Sequence, residues 1–180
     1  MTSNELRALF ASFCDVPFTP GAISELQHAL QTAGHAMTAG ADDDVVLAAA
    51  LHDVGSSRDV AQRNPGVPHE VSGAAMLREA FGERAGRLVG AHVAAKRYLV
   101  TADADYAGTL SPGSLRSLEV QGGRMTPDEL RMFLAGPWAA EAIALRRWDD
   151  AAKVPDAPAP SIDDIANVFE RWSARNAAAL

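Results

Sequence analysis

His52 and Asp53 put two metal-capable side chains on adjacent residues, at the end of the apolar run Ala48-Ala49-Ala50-Leu51. Neighbours on a helix point about 100° apart, so the two cannot chelate one ion as a compact pair unless the helix is ending. A carboxylate has two oxygens, however, and can bridge two cations while the imidazole holds one of them. Gly55 follows where a helix C-terminus favours a left-handed residue. Alone, the pair reads as a histidine capping a helix and an aspartate in a turn, because short motifs match by chance. Three more histidines change the balance. His28, His69 and His92 flank the pair at intervals of 17 to 24 residues, near the middle or ends of successive helical patterns. An antiparallel bundle can bring four such imidazoles to one level of its core. Asp149, on a later helix, shares a face with Ala142 and Leu145. Four imidazoles and two carboxylates suit iron, manganese, zinc or nickel better than magnesium or calcium. Six ligands are too many for one catalytic ion with open positions, and two ions bridged by a carboxylate divide them better.

Almost every segment that must position these residues reads as helical, which predicts an all-α bundle. Ser3 or Asn4 caps a first helix running to about Cys14, and Pro17–Gly21 is irregular. Ser24 opens a helix ending at Gly40, with Leu26, Ala29, Leu30, Ala33 and Met37 as its core stripe and His28 and His35 on the other side. Asp42 caps the helix that delivers His52-Asp53. A loop from Ser56 to Pro68 follows, then a helix from His69 to near Gly82. On the next helix, about Glu83 to Leu99, His92 and Lys96 fall inside the stripe of Ala85, Leu88, Val89, Val93 and Leu99. A lysine on a buried stripe is costly unless it meets an anion. Ser111-Pro112 starts a helix to Gln121, where Ser114, Ser117 and Gln121 lie inside an arc bounded by Leu115, Leu118 and Val120. Thr126-Pro127-Asp128-Glu129 is a capping box. A helix from about Pro137 to Ala152 carries Arg146 and Asp149. Residues 154–160 form a proline-rich linker, and Ser161 caps a docking helix over 161–176 with the stripe Ile165, Val168, Phe169 and Trp172.

The 180 residues fit a single domain, 1–180, with an ordinary composition of 48% hydrophobic and 22% charged residues. A net charge of −7 without a basic stripe argues against nucleic acid. It leaves room for a small anion, because a few cationic side chains can converge on one pocket. The single Cys14 rules out an internal disulfide and a cysteine-based zinc cage. No signal peptide and no membrane-length apolar run are visible, so the expected place is the cytoplasm, with no membrane partner and a monomer or homodimer as the expected state.

His28, His52-Asp53 and Asp149 resemble the HD-domain ligand set, and His69 and His92 are similar to the additions of its binuclear branch. The stretches His92 to Leu99, Ser117 to Gly123 and Leu145 to Asp150 resemble one subgroup closely: the HD-domain mixed-valent diiron oxygenases of the 2-amino-1-hydroxyethylphosphonate dioxygenase type. These cleave carbon–phosphorus bonds and are relatives of myo-inositol oxygenase. The resemblance runs from about Ser24 to Lys153. It implies two iron ions in a mixed Fe(II)/Fe(III) state, with O2 as co-substrate and a 1-hydroxyphosphonate cleaved to a carboxylic acid and phosphate. His28, His52, Asp53 and Asp149 would hold one iron, and Asp53 would bridge to a second held by His69 and His92. Lys96, Ser114, Ser117, Gln121 and Arg146 would bind and orient the phosphonate, which makes Asp53 and Lys96 the central catalytic pair. The sequence departs from that pattern at three places: Ser56 replaces a histidine, Phe18 a tyrosine that shields an iron, and Gly21 a glutamate that meets a substrate amine. The departures predict a substrate without a primary amine, such as hydroxymethylphosphonate or one with a small neutral or quaternary-ammonium group, although Glu25 or Asp15 could restore the missing charge. The alternatives are a metal-dependent HD phosphohydrolase acting on a small phosphate ester, and a silent metal-binding or sensor domain.

Overall fold

A computed structural model describes residues 1–13 and 23–177, and the backbone of 17–19. Helix α1, Ser3–Ala11, starts from a capping box between Thr2 and Glu5, not from Ser3 or Asn4, and stops short of Cys14, which lies outside the described residues. Pro17–Thr19 (β1) and Ile23–Ser24 (β2) form a two-stranded antiparallel ribbon where an irregular segment was expected. Ser24 and Gln27 then build a second capping box for α2, Glu25–Thr38. The buried face of α2 is His28, Ala29, Thr32, Ala33 and Ala36, while Met37 is exposed. That face turns because α2 packs against two partners, α3 and α9, rather than one.

Asp42 accepts the Val45 N–H and caps α3, Asp43–Ala50, an almost wholly buried helix. After it comes a 3-10 turn, Val54–Ser56, and a short α4, Arg58–Arg63, where a loop was expected. Gly55 is in this turn and does not take the left-handed conformation predicted for it. It is required for another reason: a Cβ there would sit 1.9 Å from the His69 carbonyl oxygen, so glycine lets the two ligand-bearing segments touch.

Helix α5, His69–Phe81, ends at Gly82 with φ of 88°, and α6, Glu83–Ala102, packs along it. A 3-10 turn, Tyr106–Thr109, leads to α7, Pro112–Val120, capped by Ser111. Gly122 and Gly123, both at positive φ, end it. The arc of α7 keeps its expected polar centre but loses two of its apolar borders. Leu115 and Val120 are exposed, and Ser114, Ser117 and Gln121 occupy the half-buried side, because this helix faces a polar cavity instead of the core. The Thr126–Glu129 box caps α8, Pro127–Ala135, and α9, Ala139–Ala151, buries Ala142, Leu145, Arg146 and Asp149.

Helix α10, Ile162–Ala177, docks by the expected stripe of Ile165, Val168 and Phe169. Its Trp172 ring packs on Phe81 and Phe169, and its indole N–H donates to Asp44 at 3.0 Å. Arg171 and Arg175 pair with Asp43, so α10 holds the N-terminus of the helix that carries His52-Asp53. Burial of each large side chain in that stripe contributes about 1.5–3 kcal/mol.

Candidate metal centre and anion pocket

The six ligand-type residues singled out in the sequence converge. Helix α2 supplies His28, the turn after α3 His52 and Asp53, the first turn of α5 His69, the middle of α6 His92, and α9 Asp149. Each imidazole turns one nitrogen outward to a partner. Nδ1 of His28 lies 2.7 Å from the Ala152 carbonyl, that of His52 2.9 Å from Ala49, that of His92 2.6 Å from Val89, and that of His69 3.2 Å from a Glu70 carboxylate oxygen. A proton assigned to Nδ1 leaves the Nε2 lone pair facing inward, as metal-ligating histidines do. The inward nitrogens then meet in pairs, His28 with His52 at 3.2 Å and His69 with His92 at 3.1 Å. Metal–nitrogen bonds of about 2.1 Å, opened to about 100°, put two ligand nitrogens close to that distance.

Asp53 divides its oxygens between the pairs. Oδ2 lies 3.4 Å from His52 and 3.8 Å from His28, and Oδ1 lies 3.4 Å from His69 and 3.6 Å from His92. Asp149 Oδ1 adds a second carboxylate to the first pair, 3.4 Å from His28. An inner site of two imidazoles and two carboxylates thus shares a bridging aspartate with an outer site of two imidazoles. Two groups that could hold a metal ion, His28–His52–Asp53 and Asp53–His69–His92, follow from the same geometry, and the donor set fits borderline transition metals. The electrostatics of the cluster fit one that attracts cations. Burial disfavours charge on His52, yet Asp53 and Asp149 outweigh it and raise the imidazole to about 9. Burial dominates at His92 and lowers it to about 3. Burial would raise Asp53, but the imidazoles around it hold its carboxyl well below the usual range.

Beside the centre is a cavity of about 230 Å³ that brings together Asp53, Ser56, His69, His92, Lys96, Ser114, Ser117, Gln121, Arg146 and Asp149. Every expected substrate residue lines it. Lys96, only 2% exposed, donates to Ser117 Oγ at 2.8 Å, and Ser117 donates to the Ser114 carbonyl. Burial, then the Arg146 charge, lowers the Lys96 ammonium to about 8. Gln121 Oε1 is buried and has no hydrogen-bond partner among the described residues, so the amide has capacity to spare for a ligand. Lys153 also lines the cavity, 3.0 Å from Asp149, and sequence reasoning missed it. Its signal was available: it lies four residues after Asp149, where a continued helix face would place it. Tyr106 and Asp150, which engage Arg146, were missed as well.

A second cavity, about 190 Å³, meets the inner site from the other side and is lined by Phe13, Glu25, Ala29 and Val54 with His28, His52 and Asp53. Glu25 is raised by burial and by the Asp53 charge. Phe18 and Gly21 cannot be placed against it, because the Phe18 side chain and the whole of Gly21 lie outside the described residues.

Residues 26–131, more than half of the chain, match the model of the HD domain. The chain is 39% identical over 153 residues to hydroxymethylphosphonate dioxygenase of Gimesia maris, covering 82% of this chain and 76% of the relative. This chain belongs to the HD domain family, of the phosphonate dioxygenase type. Another relative, the [1-hydroxy-2-(trimethylamino)ethyl]phosphonate dioxygenase (glycine-betaine-forming) of Leisingera caerulea, is 33% identical over 158 residues, 83% of this chain and 79% of its own. An uncharacterized protein of Acanthamoeba polyphaga mimivirus is 28% identical over 158 residues, 84% of this chain and 72% of its own. As in the rest of the family, the fold is helical, and no described helix is long and apolar enough to cross a membrane.

Proposed function

We propose that this HD-domain protein is a diiron oxygenase that uses O2 to cleave the carbon–phosphorus bond of a small 1-hydroxyphosphonate in the cytoplasm. The observation that carries the reading is the split of the Asp53 oxygens between two histidine pairs, next to a cavity with a buried ammonium. His28, His52, Asp53 and Asp149 would hold one iron, and His69 and His92 the other with Asp53 as the bridge. The irons, in a mixed Fe(II)/Fe(III) pair, would supply the activation of O2 and the oxidation of C1. The protein supplies ligands, orientation and a closed pocket. Lys96 would meet the phosphonate dianion as a charge-assisted donor, with Ser114, Ser117, Gln121 and Ser56 completing its hydrogen bonds and Arg146 adding charge. Held there, the phosphonate would lie beside Asp53, which lines the same cavity. For hydroxymethylphosphonate, addition of one O2 balances as formate plus phosphate.

The substituent on C1 would point towards the second cavity. Replacement of the tyrosine and glutamate of the resembling aminophosphonate enzyme by Phe18 and Gly21 favours a substrate without a primary amine. A second reading has one observation behind it: Glu25 lines the second cavity, so a cationic substituent could find a carboxylate there. Leaving a substrate cation without a partner costs several kcal/mol, enough to reject it. The test is kcat/KM for hydroxymethylphosphonate, 2-amino-1-hydroxyethylphosphonate and its trimethylammonium counterpart on iron-loaded protein. Preference for hydroxymethylphosphonate is expected. A tenfold or greater preference for the primary amine would refute the argument from Phe18 and Gly21 and transfer the role to Glu25.

A further inference from the structure

We propose that Tyr106 and Asp150 are positioning residues of the inner metal site, fixing the ligand Asp149 through Arg146. The inference rests on the metal-centre reading above and goes beyond its ligand set. Asp149 is 3% exposed and offers Oδ1 to the His28–His52 pair, while its other oxygen accepts from Arg146 Nη1. Lys153 Nζ lies 3.0 Å from Oδ1, so the pose of Asp149 depends on that ammonium and on where the guanidinium is held. An arginine carries about 2 kcal/mol of rotamer entropy, so a partner three residues along the same helix does not by itself fix a carboxylate.

Asp150 and Tyr106 supply the missing constraint. Asp150 takes the guanidinium fork in a bidentate grip, Oδ2 accepting Nε at 3.1 Å and Oδ1 accepting Nη2. The Tyr106 hydroxyl donates to Asp150 Oδ2 and accepts from Arg146 Nε at 3.2 Å. This tyrosine is 4% exposed, and its ring is packed in a separate apolar cluster with Leu99, Val100 and Leu110. It therefore ties the polar face of α9 to the α6–α7 connection, a different part of the chain. Without it, Asp149, Arg146 and Asp150 would be held by one another and by Lys153, just past the end of the same helix and 3.0 Å from Asp149 and 3.2 Å from Asp150. Arg146 engages Asp149, Asp150 and Tyr106 through Nη1, Nη2 and Nε, so it orients a metal ligand as well as adding charge to the anion pocket.

Removal of a hydrogen-bond partner behind a metal ligand commonly costs 10–100-fold in metal affinity. The measurement is anaerobic loading with Fe(II) followed by release of iron to a coloured chelator, in wild type, Tyr106→Phe and Asp150→Asn. Wild type should hold two ions per chain. Each variant should lose one ion about tenfold faster, Asp150→Asn the more so, and keep wild-type release of the other. The melting temperatures of the metal-free proteins separate this from a folding defect, since the phenyl ring preserves the apolar packing. In turnover with hydroxymethylphosphonate, kcat should fall while KM stays near wild type. Wild-type release of both ions in both variants would overturn the inference. So would equal acceleration of both ions. Fewer than two ions on wild type would overturn the metal-centre reading and this inference with it, whereas two firmly held ions without phosphonate cleavage would leave it standing.

Discussion

Lys96 concentrates the chemistry of the anion pocket in one side chain. It is buried on α6, its ammonium reaches Ser117 on α7, and it does not enter either histidine pair. Lys96→Ala is therefore expected to leave two ions bound and nearly abolish turnover. Truncating one partner of a buried charge pair costs roughly 2–5 kcal/mol, well over tenfold in binding. The same residue sets a pH dependence. Its pKa is lowered to about 8 by burial, so in the free enzyme the ammonium is present below that value and is lost as pH rises through it. kcat/KM should fall above pH about 8, and the fall should vanish from the residual activity of Lys96→Ala. Wild-type kinetics in that variant, or a flat profile to pH 10, would contradict the assignment. Lys96, Ser114, Ser117 and Gln121 were legible in the sequence because each is a polar group at a helical position where periodicity asks for an apolar one. Tyr106 was not legible. Its role depends on a meeting with α9 that no local pattern encodes.

Between elements, the closest approach is where the turn after α3 meets the first turn of α5, and Gly55 is the residue that allows it. In Gly55→Ala the new methyl would overlap the His69 carbonyl, forcing apart the segments that carry His52-Asp53 and His69. Overpacking of this kind costs about 1–3 kcal/mol or more, and each kcal/mol lowers the melting temperature of a chain this size by about 2–4 °C. The variant should melt several degrees lower and lose metal from the outer site; unchanged melting and iron content would show that the contact yields easily. The sequence made Gly55 conspicuous for a left-handed conformation it does not adopt. Caps fared better. Ser24, Asp42, Ser111 and Thr126 all begin helices as predicted, since a cap is decided by a few adjacent residues. The exposure of Met37, Leu115 and Val120 was not predictable from periodicity, because it depends on which neighbours each helix meets.

Across the whole molecule, an acidic chain of net charge −7 gathers Lys96, Arg146 and Lys153 around one cavity, a local concentration of cationic side chains that overall charge conceals. The helical fold, apart from the β1–β2 ribbon, and the convergence of His28, His52, His69, His92, Asp53 and Asp149 were readable from regular spacing in a bundle. The division of Asp53 between two sites was expected from the two oxygens of a carboxylate and from the resemblance; the distances that divide them, 3.4 Å from His52 and 3.4 Å from His69, are what three dimensions added. Docking of α10 on Asp43 and Asp44 places the last helix in the same packed unit as the ligand-bearing α3. The central claim is that this centre uses dioxygen to break a carbon–phosphorus bond. Its most direct test is anaerobic loading with iron, addition of hydroxymethylphosphonate and a measured amount of O2, and parallel recording of oxygen uptake, formate and phosphate. Phosphate and formate should form in equal amounts, each matching the O2 consumed, with no phosphate in the absence of oxygen. Phosphate released from a small phosphate ester with no oxygen uptake, and none from the phosphonate, would contradict it in favour of hydrolysis.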